Sequence, residues 1–123
     1  MIQLINDIPP NMVGFLATGD VDENDFAYTV MPKVKELAER TGLLNYMLVL
    51  DTSVRNFTIG AWLKDAFMGI KHLCHWNRTA IVTDVKSVAR FTRIFSALMP
   101  GEFRAFKHQD IMKAVEWASG KTK

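Results

Sequence analysis

Two stretches constrain this chain more than any other feature. Leu43 to Leu50 is apolar almost throughout, and 78–83 carries a second apolar run, Ala80-Ile81-Val82. Neither shows the clean polar alternation of a strand with one wet face. Strands buried on both faces belong to parallel sheets covered by helices. Each run is closed by an aspartate, Asp51 and Asp84, and each is followed by a stretch of helical period. Strand, helix, strand, helix in that order predicts an α/β domain.

The rest of the chain fits that frame. Residues 2–5 and 12–18 read as two strands around the turn-rich Asn6-Asp7-Ile8-Pro9-Pro10-Asn11, which suggests a hairpin. Asp22 suits a helix N-cap, and Phe26, Val30, Val34, Leu37 and Ala38 repeat with helical spacing up to Gly42, a natural C-cap. Pro32 sits inside that pattern, so either the helix kinks there or a second helix opens with Pro32 in its first turn. The next helix spans about 58–75, another 85–99 up to Pro100-Gly101, then a strand over Glu102 to Lys107 and a last helix over 110–119. The predicted order is ββαβαβαβα. It gives one domain over 1–123 with a mainly parallel five-stranded sheet and an N-terminal antiparallel hairpin strand.

Composition excludes several classes. At 123 residues and 49% apolar, the chain can bury roughly two-thirds of its unfolded surface without a metal or disulfide staple. Its single cysteine, Cys74, has no partner for an intramolecular bridge. The net charge of +2 is too small to imply nucleic acid. That charge is unevenly placed: residues 1–51 carry eight acids and three bases, and residues 52–123 five acids and twelve bases. The longest purely apolar strand-like run, Met47 to Leu50, is far short of the ~20 residues a spanning helix needs. No leader is visible, so the cytoplasm is the expected compartment.

Motifs for chemistry are sparse. Gly120-Lys121-Thr122 imitates the end of a phosphate loop, but Val115 stands where that loop needs glycine. There is no GxGxxG and no GxSxG. His72-Leu73-Cys74-His75 looks like a metal cluster, but on a helix Cys74 points away from the two histidines, and two imidazoles do not complete a zinc site. His108 would have to join from elsewhere, so no metal and no cofactor is expected. Asp51 and Asp84 end neighbouring predicted strands, where open sheets gather ligands. Two such carboxylates can do acid–base work, although an aspartate there more often caps its loop. The expectation is a protein that is not an enzyme.

The helices at 58–75 and 85–99 are more informative. Ile59, Trp62, Leu63, Ala66, Phe67 and Ile70 share an apolar arc of roughly 140° on the first. Val85, Val88, Phe91, Ile94, Phe95, Leu98 and Met99 span nearly half the wheel of the second, opposite a stripe of Lys86, Arg90 and Arg93. Trp76 and Arg78 are expected in the connection. A wide apolar face with a basic stripe is the composition of an interfacial helix, and equally of a helix that packs on a sheet. Gly60, Gly69 and Pro100-Gly101 suggest two mobile helices; permanent burial of the excess apolar surface in a homodimer is the competing account.

The chain resembles the SpoIIAA-like family, within the STAS and CRAL-TRIO-like fold group. The resemblance is carried by Pro32, Leu50-Asp51, Phe57-Thr58-Ile59-Gly60-Ala61-Trp62, Thr79-Ala80-Ile81-Val82-Thr83-Asp84, Ala89-Arg90-Phe91-Thr92-Arg93-Ile94-Phe95 and Met99-Pro100-Gly101-Glu102-Phe103-Arg104-Ala105-Phe106. It implies a single domain with helices largely on one face of the sheet. In the anti-sigma-factor antagonists of the STAS group, a serine in Asp-Ser-Ser-Gly opens the helix after the third strand and is phosphorylated. Here Phe57-Thr58-Ile59-Gly60 stands at that place, Thr58 is the only hydroxyl, and the aspartate is absent. The CRAL-TRIO likeness implies apolar ligands and membrane association instead.

Two functional expectations follow. The first is a non-enzymatic module that meets an apolar or amphiphilic small molecule, or an anionic membrane surface at the inner membrane face. Trp62, Phe67, Trp76, Phe91 and Phe95 would give apolar contact, and Arg78, Lys86, Arg90 and Arg93 would attract headgroups. The second is a STAS-type protein-interaction module with the loop into Thr58 as its contact surface and possible regulatory site.

Overall fold

The computed structural model describes residues 1–20, 23–51, 75–83 and 102–120. Strands β1 (Ile2–Leu4), β2 (Val13–Ala17), β3 (Leu43–Leu50), β4 (His75–Thr83) and β5 (Glu102–Lys107) form one sheet in the order β1-β2-β3-β4-β5. β1 pairs antiparallel with β2, and every other neighbouring pair is parallel. The α/β class, the hairpin and the mainly parallel sheet read from the sequence are therefore present.

The first helix answers the question posed by Pro32. The backbone is helical through α1 (Glu23–Asp25), a π turn (Phe26–Val30) and α2 (Met31–Thr41). Met31 donates its N–H to the Phe26 carbonyl, five residues back. Proline cannot donate the next bond of the ladder, and the wide turn absorbs that defect ahead of it. Pro32 thus stands in the first turn of α2, the second of the two readings, and the helical backbone runs into it from the π turn. Asp22, the expected N-cap, lies outside the described residues. Gly42 ends α2 at φ 75°, donating its N–H to the Ala38 carbonyl at 2.8 Å.

Alternate residues of a strand face opposite sides of the sheet. One face carries Met47, Val49, Ala80 and Val82, which pack under Ala114, Trp117 and Ala118 of α3 (Ile111–Ala118). Ile5, Ile8 and Met12 from the β1–β2 connection complete that layer. Gly14 makes room for them, because a Cβ there would stand 3.2 Å from Ile8 Cδ1. The other face carries Phe15, Tyr46, Leu48 and Ile81, all fully buried. α2 packs against β2 and β3 with Val34, Leu37 and Ala38 buried, and none of the three belongs to the layer under α3. The two described helices of a full turn or more beyond the π segment thus take opposite faces. The helices expected at 58–75 and 85–99 lie outside the described residues.

One boundary is corrected. His75 and Trp76 are not the end of a helix and a connection; both lie in β4 with Arg78. The strand starts earlier because of a bulge: Leu44 pairs with Trp76 but Asn45 with Arg78, which leaves Asn77 as the extra residue. Asn77 donates its side-chain amide to Asn45 Oδ1, and Asn45 donates to the Asn11 carbonyl, both at 2.9 Å. A polar bulge breaks the apolar pattern at the point where a sequence reading looks for a strand to begin.

Candidate functional site

In a parallel sheet the strands deliver their following segments to one edge, and ligands and partners gather there. Here β2, β3, β4 and β5 end together at Ala17, Leu50, Thr83 and Lys107. The register keeps these ends aligned, with Ala17 beside Leu50 and Thr83 beside Lys107. Two hydrogen bonds fasten the edge. Asp51 donates its backbone N–H to the Ala17 carbonyl at 3.0 Å. His108 Nε2 donates to the Leu50 carbonyl at 2.6 Å, tying the segment after β5 to the end of β3. A carbonyl only accepts, so this contact places a proton on Nε2.

Asp51 is half-buried on this edge, and Thr83 is 2% exposed at the end of the neighbouring strand. Among the described residues no hydroxyl or thiol is hydrogen-bonded to His108, and no group of three or more histidine, cysteine, aspartate or glutamate side chains lies together. The described part of the edge is a fastened platform. Sequence reasoning raised His108 only as a remote metal ligand. Its position directly after the last strand was the available signal, since topology alone delivers such a residue to the edge that carries Asp51.

The other expected site residues separate into two groups. Thr58, Trp62, Phe67, Asp84, Lys86, Arg90, Phe91, Phe95 and Arg93, with His72 and Cys74, lie outside the described residues. Of the remainder, Trp76 is a strand residue, as is His75. Arg78 is also in β4, and its side chain is only 17% exposed. Its Nη1 donates to the Trp117 carbonyl at 2.7 Å, its Nε meets Glu102 Oε2 at 3.2 Å, and its guanidinium lies 5.2 Å from the centroid of the Trp117 ring. Arg78 joins β4, β5 and the end of α3.

Behind the edge, Tyr46 stands in the buried face beside Phe15, with ring centroids 5.7 Å apart. Burial raises the pKa of its phenol, because the interior disfavours the phenolate. No helix among the described residues is long and apolar enough to cross a membrane.

A sequence model of the SpoIIAA-like family matches residues 12–119, from the start of β2 to the end of α3. A comparison with curated proteins found no match.

Proposed function

The chain belongs to the SpoIIAA-like family, and from that premise we propose that it is a non-enzymatic, STAS-type regulatory module that binds a protein partner. The contact surface in this reading is the carboxyl edge of the sheet, centred on the segment that follows Asp51 and carries Thr58. One observation supports it most. The ends of β2, β3, β4 and β5 are aligned in register, with β3 fastened to β2 by the Asp51–Ala17 bond and to the segment after β5 by the His108–Leu50 bond. Segments leaving such an edge are presented from a rigid base, which reduces the entropy lost on binding.

Nothing among the described residues favours the amphiphile or membrane reading. Arg78, the one member of its basic set that is described, is packed against Trp117 and Glu102. Sedimentation with anionic and neutral vesicles tests that reading directly, and equal, negligible recovery with both removes it.

The test of the interaction reading is affinity capture with the tagged chain, followed by titration with the purified partner. A single stoichiometric protein is expected. Its binding should fall on Thr58→Glu, survive Thr58→Val, and weaken on His108→Ala, which loosens the edge. Equal binding by all four proteins would place the contact elsewhere and overturn the assignment.

A further inference from the structure

The opposite end of the sheet holds a cleft that the interaction reading does not use. It has a volume of about 260 Å³ and lies between the β1–β2 connection and α2. That is near the small end of ligand pockets, so a small ligand is the fitting occupant. Leu37, Met12 and Val13 are buried in its lining, and Ile5, Ile8 and Pro9 are half-buried there.

Its lining carries two bases, Lys33 and Arg40, and two acids, Glu36 and Asp7. Lys33 Nζ lies 3.7 Å from Glu36 Oε2, one turn apart on α2, so these two rim charges offset each other. Arg40, one turn further on, donates Nη2 to the Pro10 carbonyl at 2.7 Å. That bond holds the guanidinium at the cleft wall and uses one of its five N–H groups. Among the described residues no carboxylate pairs with Arg40. Asp7, at the tip of the connection with φ 59°, also contributes to the lining.

We infer that this cleft is a binding site for a small monocarboxylate with an apolar body, its carboxylate on Arg40 and its body over the half-buried Ile5, Ile8 and Pro9. A planar guanidinium with free donors matches a carboxylate in two-point geometry. The site is independent of the carboxyl edge, so neither assignment stands or falls with the other.

The test is a titration of the full chain with sodium hexanoate, followed by backbone amide shifts. Shifts are expected within 4–13 and 33–40, with Kd on the order of 1 mM for so few atoms. Hexylamine, of the same length and opposite charge, should give none. Arg40→Gln should weaken hexanoate about tenfold, the loss of a charge-assisted hydrogen bond. Arg40→Lys should fall between, and Lys35→Gln, outside the lining, should leave affinity unchanged. No shifts up to about 20 mM (~2.3 kcal/mol), an equal response to hexylamine, or unaltered affinity in Arg40→Gln would each overturn the site.

Discussion

Arg78 is where the sequence and the structure disagree most about a role, and its substitution separates the two accounts. Arg78→Met keeps the apolar stem and removes the guanidinium. The bond to the Trp117 carbonyl at 2.7 Å is charge-assisted and partly buried, and contributes about 1.5–3 kcal/mol. It also places a cation at the carboxyl end of α3, an overlapping effect that is not counted again. The guanidinium over the Trp117 ring at 5.2 Å adds about 0.5–1 kcal/mol. The pair with Glu102, whose side chain is 67% exposed, is screened by solvent and adds at most about 0.5 kcal/mol. The expected loss is about 2–4 kcal/mol, read as a fall in the urea midpoint at constant slope. Arg78→Lys should lose roughly half of that, since lysine keeps the charge but not the planar fork. Glu102→Gln should change stability by less than about 0.5 kcal/mol. A surface cation kept for headgroups would behave in the opposite way, altering vesicle binding and leaving the midpoint in place. An Arg78→Met midpoint within error of the parent would refute the structural role.

Three further outcomes follow from single contacts. Gly42→Ala should cost about 1 kcal/mol or more in thermal or urea unfolding, because φ 75° at the α2 C-cap is strained for any residue with a Cβ. Asn45→Ala should cost about 1–3 kcal/mol by breaking the buried link from Asn11 to the β4 bulge; Asn77→Ala, at the exposed end of that link, should cost less, and the reverse order would refute the bulge as drawn. Stability should decline as pH rises above about 10, the ordinary phenol value, because the folded state holds the Tyr46 proton more tightly than the unfolded state. Below that pH both states are protonated and the contribution is whole. Tyr46→Phe should remove this part of the alkaline decline, measured as melting temperature from pH 8 to about 11.5.

The frame of this fold is legible because burial on two faces leaves a continuous apolar run that no helix of that length would carry. Leu43–Leu50 and Glu102–Lys107 fall at the bounds their patterns suggest. The start of β4 was hidden, because Asn77 and Arg78 put polar residues where a buried strand is expected to be apolar. Their partners, Asn45, Trp117 and Glu102, come from three other elements, and no local pattern announces a tertiary contact. The π turn was hidden for a related reason: Pro32 signals a defect in the helix but not which geometry repairs it. Asp51 was found as the end of a strand, yet His108 reached the same edge unannounced, since only the sheet order brings the end of β5 round to β3. The cleft at the other end was likewise out of reach, as it needs Arg40 and Pro10, thirty positions apart, to meet.

The two ends of the sheet are predicted to act separately. Along β3 the distance from the amino end to the carboxyl edge is eight residues, about 25 Å at the rise of a strand. Coupling over such a span requires an element with two packed arrangements that both sites bias. The material between the ends is Tyr46, Met47 and Leu48, each fully buried, and close-packed interiors resist small displacements. α2 is the other route, since it carries Arg40 near its carboxyl end and packs on β2 and β3. Its last turn is fixed by Gly42 to Ala38 and by Thr41 Oγ1 to Leu37 at 2.9 Å, so loss of the Arg40 contact should not move it. Arg40→Gln and Thr58→Glu should therefore add: hexanoate affinity set by the first, partner affinity by the second, with a coupling below about 0.5 kcal/mol in the double variant. Saturating hexanoate should leave partner affinity unchanged for the same reason. A coupling above about 1 kcal/mol would mean that α2 shifts as a unit, and would make the cleft an effector site for the edge.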